Sequence, residues 1–218
     1  MIRSSGAQRA PPPGPSRRRS HQPSTISRAT GTTASRVTII RRACCHGSVH
    51  FNHDNRTGPE LSAALVNAGD DCDLEELLRD HAIRRPALDA RSAAALRAWA
   101  RRLRPVFTAS SAEERCVVLN ALLDDAAGRI HLTTHDGLSP HLHLVADEED
   151  VVARVRAVMA GGLAVLTAWT GGTRLGACER ARCGTVFVDT SRGGRRRYCT
   201  ARCGNADAVA RHRAAARR

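Results

Sequence analysis

Cys178-Glu-Arg-Ala-Arg-Cys183, followed after fifteen residues by Cys199-Thr-Ala-Arg-Cys203, decides how the C-terminal part of this 218-residue chain is built. Each pair places two thiols on one tight turn. The gap between them is long enough for a hairpin that carries one pair to the other. Two close thiol pairs with such a gap are what a tetrahedral zinc site needs. Disulfides or buried free thiols are the alternative reading. Against them stand the close pairing and the lack of an apolar signal-peptide core ahead of the cysteines, which together favour metal in a reducing cytoplasm. Cys178, Cys183, Cys199 and Cys203 are therefore the candidate ligands of one structural Zn2+.

Between the pairs, residues 185–189 read as a strand, 191–194 as a turn and 195–198 as the return strand. The second pair sits at a turn leading into a helix rich in Ala, Asp, Val and Arg. A knuckle, a hairpin and two ligands at a helix start make a treble-clef arrangement. Its own apolar residues (Leu175, Val186, Phe187, Val188, Tyr198, Val209) are too few to hold ~45 residues together, so zinc is expected to do so.

The charge of the chain points the same way. Net charge is +13, with no lysine, which reads as a coding bias toward arginine. Residues 1–50 hold nine arginines and no acid, and residues 171–218 hold twelve arginines against three acids. The stretch between them carries a net −5. A basic zinc module suits a polyanion, and double-stranded DNA is the expected partner. The candidate phosphate contacts are Arg192, Arg195, Arg196, Arg197, Arg202 and Arg211. On the last helix Arg211 and Arg218 fall opposite Val209, while Arg213 and Arg217 lie on its side, so the basic surface is not one stripe. Aromatic residues make up 3% of the chain, which argues against readers of single strands or RNA loops.

Residues 1–45 are poor in apolar side chains and rich in Arg, Ser, Thr and Pro, as a disordered basic arm would be. A transit peptide or a misassigned start codon would read similarly; residues 37–40 could form a short strand. From about residue 46 to 170 the pattern is that of a folded body. Residues 73–83 read as a helix with acids in its first turn. Asp89 caps a longer helix with Leu96, Trp99, Leu103 and Val106 on one face, which Pro105 should end or kink. Ser111 starts a third, with Cys116, Leu119, Leu122 and Leu123 as its apolar set and Gly128 as its stop. Segments 129–134 and 141–145 alternate around Asp136-Gly137 as a strand pair. A last helix, 148–169, has Asp147 as its expected N-cap, and Val151, Val155, Val158, Met159, Leu163 and Leu166 form its stripe. Gly161-Gly162 in its middle suggests close helix packing or a kink, and Gly171-Gly172 a hinge. No run reaches the ~18 apolar residues of a bilayer span, so no membrane partner is expected. The fold class is thus α+β: a mostly helical body with a small β-hairpin, followed by a treble-clef-like zinc finger.

Two further clusters carry less. His131, His135, His141 and His143 lie on the hairpin, where a polar strand face is the default and a second metal site the alternative. Cys44, Cys45, His46, His50 and His53 lack a ligand-spacing gap. No nucleophile triad, phosphate loop or dinucleotide fingerprint appears, and a four-cysteine zinc has no open coordination position. The chain does not read as an enzyme.

Tyr198-Cys199-Thr200 ahead of Cys203-Gly204-Asn205, with the four-cysteine spacing, resembles the CGNR zinc finger of bacterial regulators, over residues 173–216. The body, 46–170, is similar in pattern to the ABATE domain that accompanies it: a strand-like start at 49–51, a Leu65-Val66-Asn67 segment, helices, a hairpin and a long helix. The resemblance implies a stress-induced bacterial transcription regulator, cytoplasmic, whose upstream domain senses a small-molecule or protein effector. The family motif ends in Arg, where this chain has Ala206, so a phosphate contact made there in relatives is either lost in this chain or replaced by Arg202 or Arg211. The alternative function is a zinc-shaped protein-interaction module that makes no direct contact with DNA.

Overall fold

The computed structural model describes residues 53–126, 131–133, 141–143 and 150–217. All of these lie within His46–Arg218, one of the two units into which the chain divides. The basic arm, the strands expected at 37–40 and 49–51, Cys44, Cys45, His46 and His50, the Asp136-Gly137 turn and the stop at Gly128 lie outside the described residues.

In chain order the elements are α1 (His53–Asn67), α2 (Leu74–Asp80), α3 (Ala90–Thr108), α4 (Ala112–Ala126), β1 (His131–Thr133), β2 (His141–His143), α5 (Val151–Thr170), β3 (Leu175–Ala177), β4 (Val186–Val188) and α6 (Ala201–Ala215). β1 pairs antiparallel with β2, with His131 opposite His143 and Thr133 opposite His141. The mostly helical architecture with a small antiparallel hairpin is as the sequence pattern implies.

Local chemistry sets most of the helix starts. The Asp73 carboxylate accepts from the amides of Glu75 and Glu76 at 2.9 and 3.1 Å, and Asp89 accepts from the Ser92 amide at 2.7 Å. Ser111 Oγ accepts from the Glu114 amide at 3.1 Å. Each satisfies donors that the first helical turn leaves unpaired. The cap of α5 is Asp150 rather than Asp147: its carboxylate takes the amides of Val152 and Ala153 at 2.7 and 3.0 Å. It is the last acid before the apolar run, so its side chain reaches the first turn directly.

Pro105 neither ends nor visibly breaks α3, which runs on to Thr108. The proline costs one internal hydrogen bond, but the carbonyls at the end of the helix have another partner. Arg115, buried on α4, donates to the carbonyls of Val106 and Ala109 at 2.8 and 3.0 Å. This turns α4 relative to the expected face. Arg115, Leu119, Leu122 and Ala126 are buried, whereas Cys116 is exposed and Leu123 only partly covered. Burial lowers the pKa of Arg115 from its ordinary value, with the charges of Cys116 and Glu114 opposing that shift.

α5 is the central element, packed on α1, α3 and α4. By length and composition it is apolar enough to cross a membrane, contrary to the sequence reading, yet half of that stretch is buried within the fold. Val155, Met159, Leu163 and Leu166 are fully buried, while Val158 is partly exposed. Gly162 marks close packing rather than a kink: a side chain there would meet Pro59 and the Cα of Gly58 on α1. Gly171 and Gly172, with φ of 61° and 76°, then turn the chain out of the helix, a backbone conformation that favours glycine.

The core does not stop at Gly172. Leu175 and Val188, and Val186 beside Ala177, pack in the same apolar cluster as Leu65, Leu103, Val106 and Leu163. The β3–β4 hairpin therefore lies against α1 and α3.

Candidate metal centre

β4 finds its strand partner before the first cysteine pair, not after it. Leu175 faces Val188, Gly176 faces Phe187 and Ala177 faces Val186 in an antiparallel ladder with β3. Residues 195–198, expected as the return strand, form no strand. The reason lies in Asp189, 2% exposed. Its carboxylate accepts from the Ser191 amide at 2.9 Å and from the Arg196 amide at 2.8 Å, which folds 189–196 back on itself. The Gly194 amide closes the turn onto the Ser191 carbonyl at 3.3 Å. Buried Arg174 donates to the carbonyls of Asp189 and Ser191 from inside that loop.

Alternation along the hairpin divides the work of its residues. Leu175, Ala177, Val186 and Val188 face the body. Phe187 faces the other way, its ring against Gly176, and Arg196 covers that ring with its guanidinium 4.7 Å from the centroid. At the 177–186 pair the ladder leaves the Val186 amide and carbonyl pointing outward. Asn67, the last residue of α1, takes both: Val186 N–H donates to Asn67 Oδ1 at 2.9 Å, and Asn67 Nδ2 donates to Val186 O at 2.8 Å. One side-chain amide thus substitutes for a neighbouring strand.

This framework brings the four thiols together. The first pair flanks a knuckle in which the Cys183 amide donates to Arg180 O at 3.1 Å and Arg182 takes a positive φ of 65°. The second pair opens α6, where Thr200 caps the helix by accepting from the Cys203 amide at 3.2 Å. The Glu179 amide donates to Arg197 O at 3.0 Å, which joins the two halves. The sulfurs of Cys178, Cys183, Cys199 and Cys203 all lie within 4.8 Å of one another. Cys183 to Cys199 is 3.6 Å, Cys183 to Cys203 is 3.8 Å and Cys199 to Cys203 is 3.5 Å. Four thiolates at a Zn–S distance of about 2.3 Å in a tetrahedron stand about 3.8 Å apart. The donor set fits one structural Zn2+. Among the described residues it is the only such group of His, Cys, Asp and Glu side chains.

Without metal the thiols compete for charge. Hydrogen bonding with Thr185, whose Oγ1 lies 3.3 Å from the sulfur, pulls Cys183 down to about 6. Burial and the neighbouring sulfurs push Cys199 up to about 12. Cys203 is lowered, first by the Arg180 guanidinium 3.8 Å from its sulfur. Several thiolates cannot crowd together unpaired; a bound zinc deprotonates its ligating thiols and resolves the conflict. Arg180 then faces a centre of net negative charge.

The six arginines expected to meet phosphate divide into two sets. Arg192, Arg195 and Arg202 are exposed and have no partner among the described residues. The others are engaged. Arg196 covers Phe187 and donates to the carbonyls of Tyr198 and Cys199. Arg197 makes a two-pronged ion pair with Glu179, and Arg211 pairs with Asp207 and with the Tyr198 hydroxyl. Tyr198 also donates to Asp207 at 2.8 Å, and its ring lies against Gly204. That contact gives the Tyr and Gly of the sequence signature a packing role. Val209, expected in the core of the finger, is half exposed.

Sequence reasoning missed Asn67, Arg174, Asp189 and Arg180 as builders of the site. Asp189 two positions before Ser191 is an Asx-turn signal that could have been read; the other three have no local signature.

Burial alone raises the Asp189 pKa, but hydrogen bonds from Ser191 and Arg196, with the charge of Arg174, hold it below the ordinary carboxylate value. A depressed folded-state pKa stabilises at neutral pH, and that contribution is lost as the pH falls below about 4. Asp189→Ala leaves two amides unpaired and Arg174 buried without a neighbouring carboxylate. It should cost about 3 kcal/mol in the zinc-loaded chain, read from the urea midpoint; an unshifted midpoint would show that the loop closes without it.

No curated protein matches the chain. Residues 174–216, from Arg174 to the end of α6, match the CGNR zinc finger family.

Proposed function

We propose that the chain is a DNA-binding transcription regulator whose zinc module carries the phosphate contacts and whose helical body, of the ABATE type, receives an effector. The observation that carries this reading is the set of Arg192, Arg195 and Arg202: exposed cations without a carboxylate partner among the described residues, held on a loop and a helix start that one zinc would fix in place. Guanidinium groups so presented suit phosphate oxygens. In this reading the protein is cytoplasmic and not an enzyme, since zinc held by four cysteines offers no position to a substrate.

The test is salt-titrated binding of the full chain to duplex DNA. Each neutralised phosphate contributes about 0.9 log unit of affinity per log unit of salt. Replacing Arg192, Arg195 and Arg202 together with Ala should weaken binding to all sequences and flatten the slope by about three contacts, with zinc content unchanged. Arg196 and Arg197 are poor choices for this test, because their loss disturbs the fold.

A second reading has its own support. The pairs Arg197–Glu179 and Arg211–Asp207 neutralise part of the basic surface, and Ala206 supplies no cation. A wild-type chain that binds no duplex even at low salt would favour the protein-interaction module.

A further inference from the structure

Outside the metal centre, a group of cations without carboxylate partners among the described residues lies on α3. Arg97, Arg101 and Arg104 recur at intervals of four and three residues, so they share one face of the helix. With Asp70, Leu65 and Leu74 they line a cleft of about 250 Å³ between the end of α1, the start of α2 and α3. Pockets for drug-sized ligands are larger; this one suits a single compact group.

The outer two arginines are anchored. Arg97 donates to the carbonyls of Gly69 and Cys72 at 2.9 and 3.2 Å. Arg104 donates to Val66 O at 3.1 Å and to Gly184 O, beside zinc-site residue Cys183, at 2.8 Å. These acceptors are neutral, so they orient the guanidiniums without cancelling their charge. Arg101 stands between them, exposed and without a partner among the described residues. Asp70 on the rim forms no ion pair with any of the three, leaving positive charge in excess. Fixed guanidiniums lose little entropy on binding an anion, and their planar N–H forks match phosphate oxygens.

We infer that this cleft is a phosphate-binding site, with Arg97 and Arg104 as its pre-set walls and Arg101 as the donor that completes it. Its position against the Gly184 knuckle places it beside the zinc module. The phosphate is either one of a DNA backbone passing that knuckle or a free phosphate group.

Arg101→Ala removes an exposed side chain and leaves the fold in place. Arg91→Ala removes the same charge from an exposed position about 15 Å away along the same helix, and serves as the control for general electrostatics and for the stabilising action of phosphate as a salt. Binding of inorganic phosphate to the zinc-loaded full chain is measured by calorimetry at constant ionic strength, and duplex binding by salt titration. Arg101→Ala should lower phosphate affinity roughly tenfold and Arg91→Ala hardly at all. If DNA is the source, Arg101→Ala also flattens the salt slope by about one contact. Lost phosphate affinity with an unchanged duplex slope identifies a free phosphate species instead. The phosphate arm reads the cleft even in a chain that binds no duplex, so its outcome is separable from that of the zinc module. Equal behaviour of the two variants in both assays, or a wild type that binds no phosphate in either form, overturns the inference.

Discussion

Stripping the zinc, or replacing Cys199 with Ser, should produce the largest loss of stability of any change considered. The wild-type chain is expected to hold one zinc. Structural zinc in finger-sized modules contributes on the order of 10–16 kcal/mol at neutral pH, as much as the whole stability of an ordinary domain. Outside β4 and the loop closed by Asp189, residues 178–203 have little else to hold them: Cys178 and Cys203 are buried, but the remaining turns carry mostly exposed arginines. The Cys199→Ser chain should therefore lose stoichiometric metal and the order of its C-terminal module. The helical body should survive, but not unchanged. Leu175, Val186 and Val188 lie in its core, and Asn67 is anchored to Val186. Uncovering those contacts should lower the melting temperature of the body by at least ~10 °C while the far-ultraviolet signal of α1–α5 persists. Zinc affinity should weaken as the pH falls, because protons compete for the thiolates. A metal-free Cys199→Ser chain that melts like wild type would remove zinc from the stability of this protein.

Gly58→Ala should be the most damaging single methyl in the body. A Cβ at Gly58 would overlap the carbonyl oxygen of Val158 on α5. That atom is backbone and cannot rotate aside, so α1 and α5 must separate. The neighbouring positions leave no slack: Gly162 lies against Gly58 and Pro59, and Leu61, Ser62, Met159 and Leu163 are fully buried close by in the same helices. Overpacking usually costs about 1–3 kcal/mol. Because the obstacle here is main chain, the cost should reach the top of that range, a fall of roughly 10 °C in melting temperature. Gly69→Ala is the matched control, since nothing lies within 4 Å of its Cβ position. It should be neutral or slightly stabilising, through reduced freedom of the unfolded chain. Equal melting of the two variants would mean that α1 and α5 do not meet at Gly58.

Whatever a few adjacent residues decide by themselves was legible in the sequence. The four ligands could be read because two thiols on one turn are already half of a tetrahedral site, and a hairpin-length gap supplies the rest. Asp73, Asp89 and Ser111 could be read because a cap bonds amides two or three residues ahead. The face of α3 followed from its period. Contacts between distant segments were not legible. α1, with Gly58 and Pro59 inside it, was not legible as a helix, because what holds it is its close packing against Val158 and Gly162 of α5. Residues 195–198 follow a turn as a return strand would, yet Asp189 takes the Arg196 amide and β4 pairs with β3. Asn67 pairs with Val186 across 119 positions. The six arginines looked equivalent because charge is counted locally, whereas their availability depends on partners. Glu179, Asp207 and Phe187 engage three of them and leave Arg192, Arg195 and Arg202 without a partner among the described residues. The sequence by itself determined the metal chemistry and the starts of α2, α3 and α4, since coordination and capping act within a turn or two of chain. Only the tertiary structure decided which cations remain available and how the zinc module joins the body, since both depend on where distant segments come to lie.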